Sequence, residues 1–265
     1  MAASSPMKVV ILCGGLGTRL REETELRPKP MVEVGGKPVL WHIMKTFAHH
    51  GFNDFILCLG YKGEVIKNYF LNYESLNNDF TINLGTGKRE IHSAHNEDNW
   101  RVTLVDTGQN AMTGARVKRV EPYIDGDRFL LTYGDGVTDL DINKLIKFHE
   151  NTGKIGTVTG VSPPSHYGEL GIEGDQVVSF REKPGSQHSF ISGGYFVLKR
   201  EFFKYLSDDE SCVLEREPLE RLTKEGQLSA YTHRGFWQCM DTYRDYLFLN
   251  ELWDKGRAAW KVWSA

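Results

Sequence analysis

The chain holds 265 residues, 40% of them apolar, and its 32 Lys and Arg nearly balance 35 Asp and Glu. That composition can bury a sizeable core, in one large α/β domain or two small ones, and a net charge of −3 with mixed signs gives no support to nucleic-acid or membrane-surface binding. No apolar run approaches membrane-spanning length and no signal-peptide pattern is read. The four widely spaced cysteines (Cys13, Cys58, Cys212 and Cys239) suit reduced, mostly buried thiols in a cytoplasmic protein.

Residues 1–6 are small and are expected to lie outside the fold, leaving 7–265 as a single domain. A strand over Val9–Leu12 runs straight into Gly14, Gly15 and Gly17. Glycines there let the backbone curl and present its N–H groups to an anion. Arg19 follows, and Lys29 is fixed between Pro28 and Pro30, so two cations reach the same mouth. A dinucleotide fingerprint fails because position 20 is Leu20. A P-loop fails because Gly36-Lys37 precedes Pro38 and Gly87-Lys88 precedes Arg89. The glycines alone fit a tight strand–helix turn equally well; with Lys29 they fit a triphosphate cradle better.

Val39, Leu40, Ile43, Met44, Phe47 and Ala48 form a helical apolar face ended by Gly51, and a strand follows at Asp54–Leu59. Val65, Ile66, Tyr69 and Phe70 make a second helical face. Residues 72–100 lack periodicity and carry His92 and His95, so an irregular excursion is expected there, mobile or used between subunits. Further strands are expected at Val102–Val105, Arg128–Thr132 and Ile155–Val161. Strand–helix alternation implies a doubly wound parallel sheet with ligands at the carboxyl ends of its strands, where Gly14 and Gly134 should meet. The second half is less regular: a hairpin turning at Gly174-Asp175, a strand at Ser192–Lys199, a helix at Glu217–Glu225 and a strand at Leu228–His233. A helix from Asp241 towards Lys255 closes the chain, and a tail bearing Trp253, Trp260 and Trp263 is expected to serve as a core cap or an interface.

Asp135 stands in Gly134-Asp135-Gly136 after an apolar strand. That tripeptide is a good tight turn, yet its place at the ligand rim favours a role. A carboxylate facing phosphates needs a divalent cation between them. Asp241 is the natural second ligand, or else the N-cap of the last helix. His92, His95 and Asp98 look metal-like but sit in a polar, irregular stretch that favours exposed side chains, while His42 lies near an apolar helix face and reads as structural.

Gly14-Gly15-Leu16-Gly17-Thr18-Arg19-Leu20 followed by Lys29-Pro30 resembles the signature of the sugar-phosphate nucleotidyltransferases. The likeness runs from Met7 through nearly the whole chain, including Lys37–Met44, Val105–Gly108, Tyr133–Gly136 and Gly235–Thr242. It implies a Rossmann-like α/β fold: a doubly wound, mostly parallel sheet with a small β-rich sugar-binding portion and a C-terminal helix. It implies Mg²⁺ on Asp135 and Asp241, with Arg19, Lys29 and Asp135 catalytic. Nucleotide would be held by Leu12, Gly14, Gly15, Gly17, Thr18, Arg19, Gly108, Thr113, Arg116 and Gly134. Sugar phosphate would be held by Glu182, Lys183, Gly194 and Tyr195. Ala115 and Ser192 depart from the usual glycine and asparagine. The Gly235–Thr242 stretch and the Trp-rich tail resemble the cytidylyl-transferring members, implying CTP and glucose 1-phosphate as substrates, a CDP-sugar product for surface polysaccharides, and a homo-oligomer, hexameric by resemblance. UTP or dTTP in place of CTP, or a non-catalytic nucleotide-sensing relative, are the alternatives. A glycosyltransferase of similar fold would carry Asp-x-Asp, where this chain has one carboxylate.

Overall fold

A computed structural model describes residues 7–92, 97, 99–162, 169–181 and 190–264. At its centre lie seven strands: β1 (Lys8–Leu12), β2 (Asp54–Leu59), β3 (Arg101–Asp106), β4 (Arg128–Tyr133), β5 (Gly156–Val161), β6 (Ile191–Lys199) and β7 (Leu228–His233), in spatial order β7-β5-β6-β4-β1-β2-β3. All are parallel except β6, which runs against β4 and β5. β1 shows why the sequence takes this form. Val9 and Ile11 enter the core on one face, Val10 and Leu12 on the other, so a strand buried on both sides reads as an unbroken apolar run.

The first face is covered by α1 (Val39–His49), which buries Val39, Leu40, Ile43, Met44 and Phe47 and ends before Gly51 in the left-handed region at φ 91°. α2 (Gly63–Leu71) adds Ile66, and α4 (Ile142–Thr152), capped by Asp141, adds Ile142, Leu145 and Ile146. The second face is covered by α3 (Thr113–Arg119), by Phe202 and Phe203, and by Leu222 of α5 (Glu217–Lys224). α6 (Tyr243–Asp254) begins in a capping box of Thr242 with Asp245, so Thr242, not Asp241, caps this helix. The hairpin Glu169–Glu173/Gln176–Arg181 turns at Gly174-Asp175, as the sequence predicts. Among the described residues no helix is long and apolar enough to cross a membrane.

The expected irregular excursion at 72–100 is corrected in part. Tyr73–Asn77 forms a short helix, and Phe80–Ile82 pairs with Arg89–Ile91 in an antiparallel hairpin. Phe80, Ile82 and Leu84 are exposed. A two-stranded ribbon that buries neither face carries no hydrophobic alternation, so no periodicity announces it.

The aromatic tail caps the core. Trp260 is fully buried, stacked on Phe236 at 5.4 Å, and its Nε1–H donates to Nδ1 of His42 at 3.3 Å. His42 must then carry its proton on Nε2, where it donates to the Val34 carbonyl at 2.8 Å. The ring is therefore held neutral, and burial pushes its pKa down to about 4. Buried His149 is lowered to about 4 as well. In the unfolded chain these rings take up protons near pH 6.5, whereas the folded protein refuses them until about pH 4. Stability is expected to fall as pH drops through that window, by up to about 1.4 kcal/mol per pH unit for each ring. Urea unfolding between about pH 7 and pH 5, above the carboxylate range, is the check; a flat profile there contradicts it.

Candidate active site

After β1 the chain builds β2 and β3 on one side, then crosses over to lay β4 on the other. The carboxyl ends of β1 and β4 thus meet at a topological switch point, where open α/β sheets bind ligands. The Gly134 N–H donates to the Leu12 carbonyl at 3.0 Å, joining the two loops. A cleft of about 550 Å³ opens above them. Leu12, Gly14, Gly15, Gly17, Thr18, Lys29, Thr113, Arg116, Gly134 and Asp135 all line it. Arg19 follows directly in the 3₁₀ turn Thr18–Leu20. Gly108 does not line the cleft; its N–H donates to Asp106 and its carbonyl is used from below.

Arg116, besides lining the cleft, is the donor below. Its side chain is buried beneath the cleft floor. Nη1 donates to the Leu59 carbonyl (3.0 Å), Thr107 Oγ1 (2.9 Å) and the Gly108 carbonyl (2.7 Å), and Nη2 to the carbonyls of Gly14 (3.0 Å) and Gln109 (3.2 Å). The guanidinium bolts the glycine loop to the facing 107–109 loop. Gly14 has to be glycine for this, since a Cβ there would lie 2.1 Å from Nη1.

A second cleft of about 240 Å³ adjoins the first and shares Tyr133 and Asp135 with it. Gly194 and Asp241 line it. Gly194 sits at φ 77°, and a Cβ there would meet the Tyr133 ring at 2.5 Å, so only glycine fits. Tyr195 also borders this cleft, while its ring is buried in the core, stacked on Phe47 at 5.7 Å, and its hydroxyl donates to the Gly136 carbonyl at 2.8 Å. Alternation along β6 turns its side chain inward, as it does for Val197. The expected sugar-phosphate residues Glu182 and Lys183 lie outside the described residues, as do His95 and Asp98. His92 is exposed and bonds to Thr81 on the 80–91 hairpin.

At the junction of the clefts stands a charged triad. The Lys29 ammonium donates to Asp135 Oδ2 at 2.7 Å and to Asp241 Oδ1 at 2.6 Å. Burial alone would lower the Lys29 pKa, but the Asp135 charge and hydrogen bonds to both carboxylates outweigh it and hold the group above the ordinary lysine value. Strand pairing makes the meeting: Trp237–Cys239 runs antiparallel to Gly136–Thr138, and the Met240 N–H donates to the Asp135 carbonyl at 2.9 Å. Asp135, Cys239 and Asp241 place one ligand atom each within 4.8 Å of the others. The two converging carboxylate oxygens already hold one cation, which is the hard-oxygen donor set that Mg²⁺ takes.

Several neighbours escaped the sequence reading. Gln109, Asn110, Ala111 and Met112 line the larger cleft, inside a gap between Gly108 and Thr113 that could have been marked as one continuous loop. Glu215 accepts from Thr113 Oγ1 at 2.7 Å and from the Tyr133 hydroxyl, tying the two clefts together from about a hundred residues away. No local signal announces it.

The sequence profile of the nucleotidyl transferase family matches residues 8–255. The chain is 53% identical to the glucose-1-phosphate cytidylyltransferase of Salmonella typhi, covering 97% of this chain and all of the relative. It is 45% identical to a probable glucose-1-phosphate cytidylyltransferase of Bacillus subtilis, again over 97% of this chain and all of the other. Among solved structures, HddC from Yersinia pseudotuberculosis complexed with GMP-PN matches with a TM-score of 0.68 at 27% identity, covering 93% of this chain and 99% of that one.

Proposed function

Because the chain belongs to the nucleotidyl transferase family, we propose that it transfers a cytidylyl group from CTP to α-D-glucose 1-phosphate, giving CDP-glucose and pyrophosphate. The observation that carries this reading is the meeting of two clefts at Asp135, one large enough for a nucleoside triphosphate and one smaller and adjoining. Full-length similarity to the Salmonella typhi enzyme supports the choice of substrates.

A sugar 1-phosphate needs no general base, because by analogy with other phosphate monoesters its second pKa lies near 6 and its oxygen is already a nucleophile at neutral pH. The obstacle is charge. Two unit charges about 4 Å apart repel by roughly 4 kcal/mol at a partly shielded site, and several such pairs arise when the substrates meet. Asp135 and Asp241 would hold Mg²⁺, which when bound neutralises phosphate charge. Lys29 and Arg19 supply further positive charge. The N–H groups of the glycine loop hold the phosphates in line, and Arg116 keeps that loop in place from beneath. Direct attack without a covalent enzyme intermediate is expected to invert configuration at a chiral α-phosphorothioate of CTP; retention rules it out.

The base is tested by measuring pyrophosphate release with CTP, UTP, dTTP, ATP and GTP, each against several sugar 1-phosphates. CTP with glucose 1-phosphate is expected to give the highest kcat/KM; preference for UTP or dTTP moves the assignment within the family. Turnover with none of them favours a nucleotide-sensing relative, against which the presence of Lys29, Asp135 and Asp241 argues. The same reading places the enzyme in the cytoplasm as a homo-oligomer, a hexamer by resemblance. Four free thiols support the location, and exposed Phe80, Ile82 and Leu84 support the assembly.

A further inference from the structure

Lys29 does more than face a phosphate. It rises from the turn Lys29–Met31, flanked by Pro28 and Pro30, and its side chain is 10% exposed. Its ammonium already occupies the space between Asp135 and Asp241. A divalent cation held by both carboxylates would compete with Nζ for the oxygens it now bonds, Oδ2 of Asp135 and Oδ1 of Asp241. Lys29 also lines the larger cleft, on the side where phosphates are expected. Nζ therefore gains a second set of anionic partners only when a nucleotide is present.

We infer that Lys29 is the resident counter-ion of the metal site, closing it to free divalent cations until an incoming nucleotide draws the ammonium onto its phosphates. Metal and nucleotide then bind with positive coupling that passes through one side chain, and by linkage each raises the affinity for the other. The exchange also moves a positive charge to the phosphates in the event that seats the metal. This role rests on the nucleotidyltransferase reading for the identity of the incoming anion, but not for the exclusion of metal from the nucleotide-free protein.

The test is Mn²⁺ binding followed by electron paramagnetic resonance, with no substrate and no turnover. Nucleotide-free Lys29→Met and Lys29→Gln proteins are expected to bind one Mn²⁺ at least about tenfold more tightly than wild type, because a competing charge has been removed. Adding α,β-methylene CTP is expected to raise Mn²⁺ affinity strongly in wild type and much less in either variant. Near-ultraviolet circular dichroism, reporting on the buried Trp260, checks that the variants fold. Unchanged or weaker Mn²⁺ binding in folded variants overturns the inference. Should neither variant fold, wild type decides: micromolar Mn²⁺ binding without nucleotide overturns it, and weak binding strengthened by the analogue supports it. A protein that makes no CDP-glucose yet shows the exchange would fail the functional proposal and keep this one.

Discussion

Lys29→Ala is expected to lower kcat by about two to three orders of magnitude, the loss found when one preorganised charge-stabilising donor is removed from a reacting centre. The folded protein should barely notice. The Asp135 and Asp241 side chains are 26% and 31% exposed, so water and dissolved cations reach them once the ammonium is gone. A partly exposed pair of this kind contributes on the order of 1 kcal/mol or less. Turnover should therefore collapse while Tm changes little. A variant that keeps wild-type kcat removes Lys29 from the chemistry. One that loses Tm and activity in proportion makes it a structural residue.

Arg116→Met should show the opposite balance. Leu59 keeps a second donor in the Thr107 N–H, and Gly14 keeps the Tyr61 N–H, so the loss falls mainly on the carbonyls of Gly108 and Gln109. Both carbonyls are only part-buried, so losing these two hydrogen bonds to a charged donor costs on the order of 1–3 kcal/mol together. The cleft walls also lose their bolt, so KM for the nucleotide should rise by about tenfold or more while kcat at saturation falls less, as expected when uniform binding is lost. Urea unfolding and steady-state kinetics on one preparation read both effects. A fall in kcat with unchanged stability and KM would place the guanidinium on the reacting phosphates instead.

The strands were largely legible because burial on both faces leaves apolar runs such as Val9–Leu12 and Asp54–Leu59, bounded by glycine and polar residues. The hairpin at Gly174-Asp175 was legible from its turn chemistry. The 80–91 hairpin was not, because a ribbon exposed on both faces shows no alternation. Tyr195 and Arg116 both line a cleft, yet the bonds their polar groups make within the protein were not legible, because these depend on the strand pleat or on carbonyls brought in from distant loops.

By itself, the sequence determined the glycine loop at the cleft: the strand, the three glycines and the lysine between prolines follow from local backbone rules. It also determined which carboxylates were candidates, and the family signature. Only the tertiary structure decided what those charges do. Asp135 and Asp241 meet because Trp237–Cys239 pairs with Gly136–Thr138 across about a hundred residues, and Thr242 caps the last helix in place of Asp241. Lys29 is drawn between them because a partly buried ammonium needs anionic partners, and these two lie within its reach. Local spacing carries no record of such long-range pairings, so the glycine loop could be read in one dimension and the Lys29–Asp135–Asp241 triad only in three.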